Sequence, residues 1–312
     1  MIDLTKKKIL ITGADGFLGS HLVERLLATG VPKGNLFLPT IRELDLRIWE
    51  NCKKGAAGQD LVIHLAGIVV SRREQEKRPG EIFYNNLLIN SQIIEASRLA
   101  GVKKIITIGS ITEYPKNIQV PFKEDDLWLG YPEEESVCYG MSKRMMSTQI
   151  IAYSQQYGLN GIHLILPNLY GPKDKFHHPV PPLVPSLIKQ VYKAKTEGLK
   201  EIYGGANKEN LIDLLYIDDA VEAIILALMR YNQPEPLNIG SGSPVTIETV
   251  IKKISDLIDF KGKILWDPQK IISRRYLDIT KAKNILGFRP KINLAEGLKY
   301  TIDQYLKDLN KY

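Results

Sequence analysis

The sequence predicts an α/β fold: a doubly wound parallel sheet followed by a smaller mixed α/β lobe. Two observations predict it. Short, continuously apolar runs alternate with amphipathic helical spacing as far as residue 166, and runs apolar on both faces belong to a sheet covered on both sides. Beyond residue 166 the texture changes, with Pro167, Pro172, Pro179, Pro181, Pro182 and Pro185 close together, too many for regular structure before a helix resumes. In order, strands are expected at 8–12, 36–38, 61–65, 104–108 and 161–166. Helices are expected at 17–29, where Leu18, Leu22 and Leu26 share a face, and around 82–99 and 139–157. The second half predicts a helix near 186–194, short elements at 201–203, 211–215, 236–239 and 264–266, and helices at 219–230, 247–258 and from 294 onward.

Composition narrows the function. The chain has 312 residues, 44% of them hydrophobic and 25% charged, with only two cysteines, Cys52 and Cys138. That excludes a disulfide scaffold and a cysteine-based zinc module and suits a reducing compartment. No apolar run approaches the roughly 20 residues of a membrane span, and the lysines at 6–8 precede too short an apolar stretch for a signal peptide. A cytoplasmic protein with no membrane partner is expected. The net charge of +7 favours anionic ligands. Its basic residues are scattered, apart from pairs such as Lys53-Lys54 and Arg72-Arg73, so no nucleic-acid surface is predicted. Arg72-Arg73 either covers the substrate or is simply exposed.

The first strand runs into Gly13-Ala14-Asp15-Gly16-Phe17-Leu18-Gly19 and then directly into a helix. Glycines there allow a tight turn and close approach of a pyrophosphate, which sits at the partly positive helix N-terminus. A carboxylate after the second strand would select NAD, and an arginine NADP. Pro39-Thr40-Ile41-Arg42 offers Arg42, which tips the reading slightly toward NADP, although Asp15 would repel a 2′-phosphate if it faced that side. Asp45-Leu46 is a candidate adenine contact.

Tyr139 and Lys143 form a Y-x-x-x-K, and positions i and i+4 share a helix face. A phenol with an ordinary pKa near 10 needs a nearby positive charge to act as a base at neutral pH; Lys143 and an oxidised nicotinamide would supply it. Ser110 follows the strand at 104–108, where the C-terminal ends of parallel strands line a ligand crevice. It either orients a substrate oxygen or merely caps a turn. His64 reads as a core histidine, and His177-His178 lacks the carboxylates of a metal site. Asp218-Asp219 reads as a helix cap, Trp49, Trp128 and Trp266 as packing residues, and 133–135 as a solvated acidic loop.

These motifs carry a resemblance. The glycine loop, His64-Leu65-Ala66-Gly67, Ser110 four before Tyr114, Tyr139/Lys143, Asn168-Leu169-Tyr170-Gly171-Pro172, Asp125-Asp126-Leu127-Trp128, Gly130-Tyr131-Pro132-Glu133-Glu134 and Tyr216-Ile217-Asp218-Asp219-Ala220 together resemble the extended short-chain dehydrogenase/reductases. More closely, the chain resembles NAD(P)-dependent nucleotide-sugar epimerase/dehydratases of the GDP-L-fucose synthase-like kind, from about residue 6 to 300. The resemblance implies a Rossmann-type domain over 1–166 plus about 208–240 and a substrate lobe over 167–207 and 241–312. It implies a nucleoside diphosphate sugar substrate and a homodimer formed through the helices at 82–99 and 139–157. Tyr139 would be the acid/base, Lys143 its modulator and ribose ligand, and Ser110 the orienting hydroxyl. The dinucleotide would meet Gly13, Asp15, Gly16, Phe17, Leu18, Gly19, Leu65, Ala66, Gly67, Asn86 and Pro167, while Asn168 and Arg274 would hold the sugar diphosphate.

The departures bear on the reaction. GDP-L-fucose synthases carry a cysteine where this chain has Thr112 and an acid/base histidine where it has Pro182; His177 and His178 stand at another offset. The acidic pair of dehydratases is replaced by Ile111 and Thr112. The family arginine before the Asp-Asp helix is Ile212, which shifts diphosphate binding toward Arg274 or Lys208. Reduction or inversion at sugar C4 needs only Ser110, Tyr139, Lys143 and the nicotinamide. A 4,6-dehydratase and a silent cofactor-binding protein are the alternatives.

Overall fold

The computed structural model describes all residues except Met1, Ser71, Pro179, Val180, Ala206, Pro268 and 310–312, and all side chains in those elements except Arg72 and Arg73. The strands are β1 (Ile9–Thr12), β2 (Leu36–Phe37), β3 (Leu61–His64), β4 (Lys104–Ser110), β5 (Gly161–Leu166), β6 (Asn168–Tyr170) and β7 (Glu201–Tyr203). They continue with β8 (Leu211–Ile212), β9 (Leu214–Tyr216), β10 (Leu237–Asn238), β11 (Val245–Thr246), β12 (Lys263–Leu265) and β13 (Arg274–Arg275). The helices are α1 (Phe17–Ala28), α2 (Trp49–Ala56), α3 (Arg72–Lys77), α4 (Pro79–Leu99), α5 (Val137–Tyr157), α6 (Leu183–Thr196), α7 (Ile217–Arg230), α8 (Ile247–Ile258), α9 (Thr280–Leu286) and α10 (Leu294–Leu309).

Six strands form one parallel sheet in the order β10-β5-β4-β3-β1-β2. Alternate residues of one strand feed opposite faces. Ile9 and Ile11 pack with Leu22, Leu26, Ile224 and Leu228 of α1 and α7, whereas Leu10 packs with Ile89, Ile93 and Met146 of α4 and α5 on the other side. Burying each such aliphatic side chain is worth about 1.5–3 kcal/mol, and this two-sided burial is why the runs are apolar throughout.

The strand order reverses between β1 and β3, which puts the ligand crevice at the carboxyl ends of β1, β3 and β4. That edge is tied together through its side chains. Thr12 Oγ1 lies 2.8 Å from His64 Nδ1, and His64 Nε2 lies 3.0 Å from Asn90 Oδ1 of α4. Burial, with Lys143 adding to it, lowers the His64 pKa to about 3, so the ring is a neutral structural link, as the sequence suggested.

A second core joins α6, α8 and α10 through Ile188, Val191, Val250, Ile254, Leu298 and Ile302. The chain returns from this lobe to the large sheet twice, as β10 and as α9, whose Ala282 and Leu286 pack into the α1/α7 layer.

Several expectations change. The element expected at 211–215 is split, because buried Asp213 accepts from the backbone N–H groups of Ser241 (2.9 Å) and Leu277 (3.2 Å). β8 therefore joins β11 and β13, while β9 pairs with β6. Asp218 and Asp219 stand in the first turn of α7, where acids favour the helix dipole, but the N-cap itself is Tyr216. Asp219 instead accepts from the N–H groups of Lys291 (2.9 Å) and Ile292 (3.1 Å), fastening the chain ahead of α10. Trp128 does not pack inside: it is 50% exposed, with the Arg144 guanidinium 5.4 Å from its ring. Residues 133–135 are not all solvated, since Glu133 accepts from Arg275 Nη1 at 3.0 Å. The pair at 72–73 opens α3 rather than a loop, and its side chains lie outside the described residues.

Candidate active site

The glycine loop turns from β1 into α1 where the backbone leaves no room for side chains. Gly13 adopts φ +68°, and a Cβ there would come within 2.9 Å of the Ala66 nitrogen. A Cβ on Gly19 would come within 2.7 Å of Ala14 Cα. α1 begins at Gly16 with no side-chain cap, so its first N–H groups face the groove unpartnered by a capping side chain. The groove, about 480 Å³, is lined by Gly13, Asp15, Gly16, Phe17, Leu18 and Gly19 on one wall. Leu65, Ala66 and Gly67 line the second wall, and Asp45 with Leu46 the far end. A phosphate cradle at a helix N-terminus, continued by an apolar slot, fits a dinucleotide.

Other predicted cofactor residues act differently. Asn86 is fully buried and spends its amide on the loop: Oδ1 accepts from Ile68 N–H at 2.8 Å and Nδ2 donates to Ile68 O at 3.0 Å. It thus shapes the wall that Gly67 belongs to. Arg42 is exposed and is not among the residues lining the groove, whereas its neighbour Ile41 is. Asp45 is held by Arg47 through Nε (3.0 Å) and Nη2 (2.6 Å), and this pairing keeps its carboxyl below the usual range. Arg47 was not foreseen.

Phe17, Leu18, Val69 and Lys175 line both this groove and a second cavity of about 570 Å³, making the two continuous. The second cavity brings Ser110, Thr112, Tyr139, Pro167 and Asn168 together. β4 delivers Ser110 at its last residue and α5 delivers Tyr139 in its first turn. Lys143, one turn on, is buried and donates to Ile108 O at 3.0 Å, with its ammonium 5.8 Å from the Tyr139 ring centroid. Ser110 both caps and faces the crevice. Its Oγ accepts from Thr112 N–H (3.2 Å) and Thr112 Oγ1–H (2.9 Å), leaving its own proton for a ligand.

Burial pushes the Tyr139 phenol up, with Glu113 adding to it, and lowers Lys143 to about 8 against the opposing pull of Glu113. Both causes shift the phenol upward, so the acidifying charge foreseen from Lys143 and an oxidised nicotinamide has burial to overcome before the phenol can act as a base.

The cavity also holds three residues the sequence reading passed over or declined: Asp174, Lys175 and His178. Asp174 is 7% exposed, its Oδ2 has no hydrogen-bond partner among the described residues, and burial raises its pKa to about 6. Arg274 lies apart from the crevice, exposed on β13, and lines a separate cavity of about 680 Å³ with Lys116 and Arg275. Beneath the serine turn lies a buried acid, Glu113. Its spacing, Ser110-x-x-Glu113, is a capping box legible in the sequence. Among the described residues no cluster of three metal-ligating side chains occurs, and no helix is long and apolar enough to cross a membrane.

Residues 9–240 match the family model described as the NAD dependent epimerase/dehydratase family. The chain belongs to this NAD(P)-dependent family of epimerases and oxidoreductases, of the extended short-chain dehydrogenase/reductase kind. It is 32% identical to GDP-L-fucose synthase 1 of Arabidopsis thaliana, over 97% of this chain and 94% of that protein. It is also similar to a GDP-D-glycero-L-gluco-heptose synthase from Campylobacter jejuni solved with NADPH (TM-score 0.89, 26% identity, 98% and 100% coverage). A GDP-mannoheptose C4 reductase from Campylobacter jejuni with NADP bound is similar too (TM-score 0.87, 27% identity, 98% and 100% coverage).

Proposed function

We propose that this protein acts on C4 of a nucleoside diphosphate sugar, reducing a 4-keto group or inverting C4 through a transient ketone, with NADPH as the favoured cofactor. One observation carries the reading. Ser110 and Tyr139 share a crevice continuous with the dinucleotide groove, while Thr112 and Pro182 stand in that crevice where a C3/C5 epimerase would need cysteine and histidine. The dehydratase reading has less support, because the one acid after the serine, Glu113, is turned inward onto His163. Guanosine diphosphate is the favoured nucleotide because the related synthases and reductases are named for it.

A bound nicotinamide dinucleotide supplies or accepts the hydride. The protein's own groups do the rest. Ser110 donates its free hydroxyl proton to the sugar oxygen and orients it toward Tyr139. The protonated phenol of Tyr139 gives its proton to that oxygen as the ketone becomes an alcohol. Lys143 holds α5 against β4, keeping phenol and serine on one wall, and offers its ammonium to the cofactor ribose. The glycine loop and the start of α1 hold the pyrophosphate. NADP is favoured because Asp45, the carboxylate best placed to choose a ribose 2′-hydroxyl, is already paired with Arg47; Arg42, foreseen as the 2′-phosphate partner, does not line the groove. Asn168 and, from its neighbouring cavity, Arg274 are assigned to the sugar diphosphate. In this reading 1–166 with about 208–240 bind the dinucleotide, 167–207 with 241–312 bind the sugar nucleotide, and two copies pair through α4 and α5.

The test is incubation with a panel of GDP-linked and UDP-linked sugars and their 4-keto derivatives in D₂O, following NADPH absorbance and product together. Loss of NADPH with a reduced product, or a C4 isomer with no net loss of NADPH, is the expected result, in either case with no deuterium at C3 or C5. Deuterium at those positions means C3/C5 epimerase chemistry instead, and no turnover of any substrate overturns the assignment.

A further inference from the structure

We propose that Glu113 is a positioning residue of the active site: clamped by His163, it fixes Ser110 at the crevice and sets a buried carboxyl behind the Tyr139/Lys143 pair. The proposal deepens the reading of Tyr139 as proton donor and rests on it.

Glu113 is fully buried. Its Oε1 accepts from Ser110 N–H at 2.6 Å and its Oε2 meets His163 Nε2 at 3.1 Å. His163 Nδ1 in turn lies 2.9 Å from Thr107 Oγ1. An ionised carboxylate only accepts, so Nε2 carries the proton it gives to Glu113. Thr107 Oγ1 lies within reach of both His163 Nδ1 and the Ile162 carbonyl oxygen (3.2 Å), so the chain from Ser110 through Glu113 and His163 ends on the backbone of β5. A buried carboxylate is costly without partners, and the Ser110 N–H from its own turn and His163 from β5 supply them. Lys143 and Arg144 of α5 and Tyr114 of its own turn are further titratable groups that it acts on. Arg144 also donates to the Glu113 carbonyl oxygen.

The backbone makes room for this pair. A Cβ on Gly109 would fall within 2.5 Å of His163 Nε2 and closer still to Glu113 Oε1, so glycine at 109 is required by the acid and not by the turn, which has no positive φ there. The charge acts on both groups of the Y-x-x-x-K. It raises the phenol further after burial has raised it, and it opposes the lowering of the Lys143 ammonium. Glu113 does not itself line the crevice, whereas Ser110 does, so it works through Ser110.

The experiment compares the native chain with Glu113→Gln and His163→Leu, each also with Tyr139→Phe. It reads the pH dependence of kcat for reduction, NADPH binding, and the ultraviolet difference titration of each protein against its Tyr139→Phe partner. Glu113→Gln keeps an acceptor for Ser110 N–H and loses the charge. NADPH affinity within twofold, a kcat at least tenfold lower, and an alkaline limb moved to lower pH are expected, with Tyr139 ionising at lower pH in the titration. His163→Leu removes the clamp on Oε2, and a lower kcat with NADPH affinity within twofold is expected. Profiles and titrations that superimpose on the native ones overturn the proposal, and His163→Leu decides if Glu113→Gln fails to fold. The titration needs no sugar substrate, so it separates failure of this proposal from failure of the C4 reading.

Discussion

The ammonium of Lys143 donates to the carbonyl oxygen of Ile108 at 3.0 Å, joining the helix that carries Tyr139 to the strand that ends in Ser110. This bond sets the spacing of the two crevice residues. It also places a buried cation at a site where desolvation lowers its pKa to about 8.

Lys143→Met removes both the bond and the charge. Turnover is expected to fall by about 10²–10⁴, the range of a displaced acid–base group, with weaker dinucleotide binding. Stability behaves otherwise. A lysine whose folded pKa is lowered costs stability while charged, and that cost fades as pH rises from about 8 toward its unfolded value near 10.4. The variant should therefore lose the rise in Tm that the native chain shows across that window. Melting between pH 7 and 10 checks this.

Tyr139→Phe should lower kcat by at least about 10² and leave NADPH binding within a fewfold, as measured by fluorescence titration. Because burial holds the phenol protonated, reduction by the native enzyme should be flat through neutral pH and fall only in the alkaline range. The reverse oxidation, which needs the phenolate, should rise there. A variant retaining native turnover would remove Tyr139 from the chemistry.

Gly13→Ala meets both a positive φ and the Ala66 backbone at 2.9 Å. Loss of dinucleotide binding by at least tenfold is expected, with circular dichroism near native. Gly30→Ala also replaces a glycine of positive φ, but with open space around it; it should cost stability alone. Calorimetric titration with NADPH separates the two.

Asp174 is buried with an orphan oxygen and a pKa raised to about 6. A carboxyl raised on folding binds a proton in the native chain that the unfolded chain releases. It therefore costs stability as pH rises from about 4 to 6, by up to about 3 kcal/mol above that window. Asp174→Asn should melt higher than the native chain at pH 7.5, and the gain should shrink as pH falls toward 4. An equal Tm at both pH values would place the carboxylate with a partner in solution.

The large sheet was legible because its evidence is local. Ile9–Thr12 and Gly161–Leu166 announce themselves by runs that must be buried on both faces, and the glycine loop by a turn no other residue allows. Elements too short to show a period were not legible. Residues 49–56 form α2 although their spacing stands out little, and 211–215 divides because Asp213 bonds to residues 241 and 277, far away in the chain.

By itself the sequence determined the fold class, the phosphate turn and the shared face of Tyr139 and Lys143, since each follows from periodicity or a fixed spacing on one element; Ser110 joined them through the resemblance. Only the tertiary structure decided the electrostatics of the site. Whether a phenol gains or loses its proton depends on how much water the folded chain removes from it and which charge is packed nearby, and Glu113 and His163, 50 residues apart, meet solely because β4 and β5 are neighbours in the sheet.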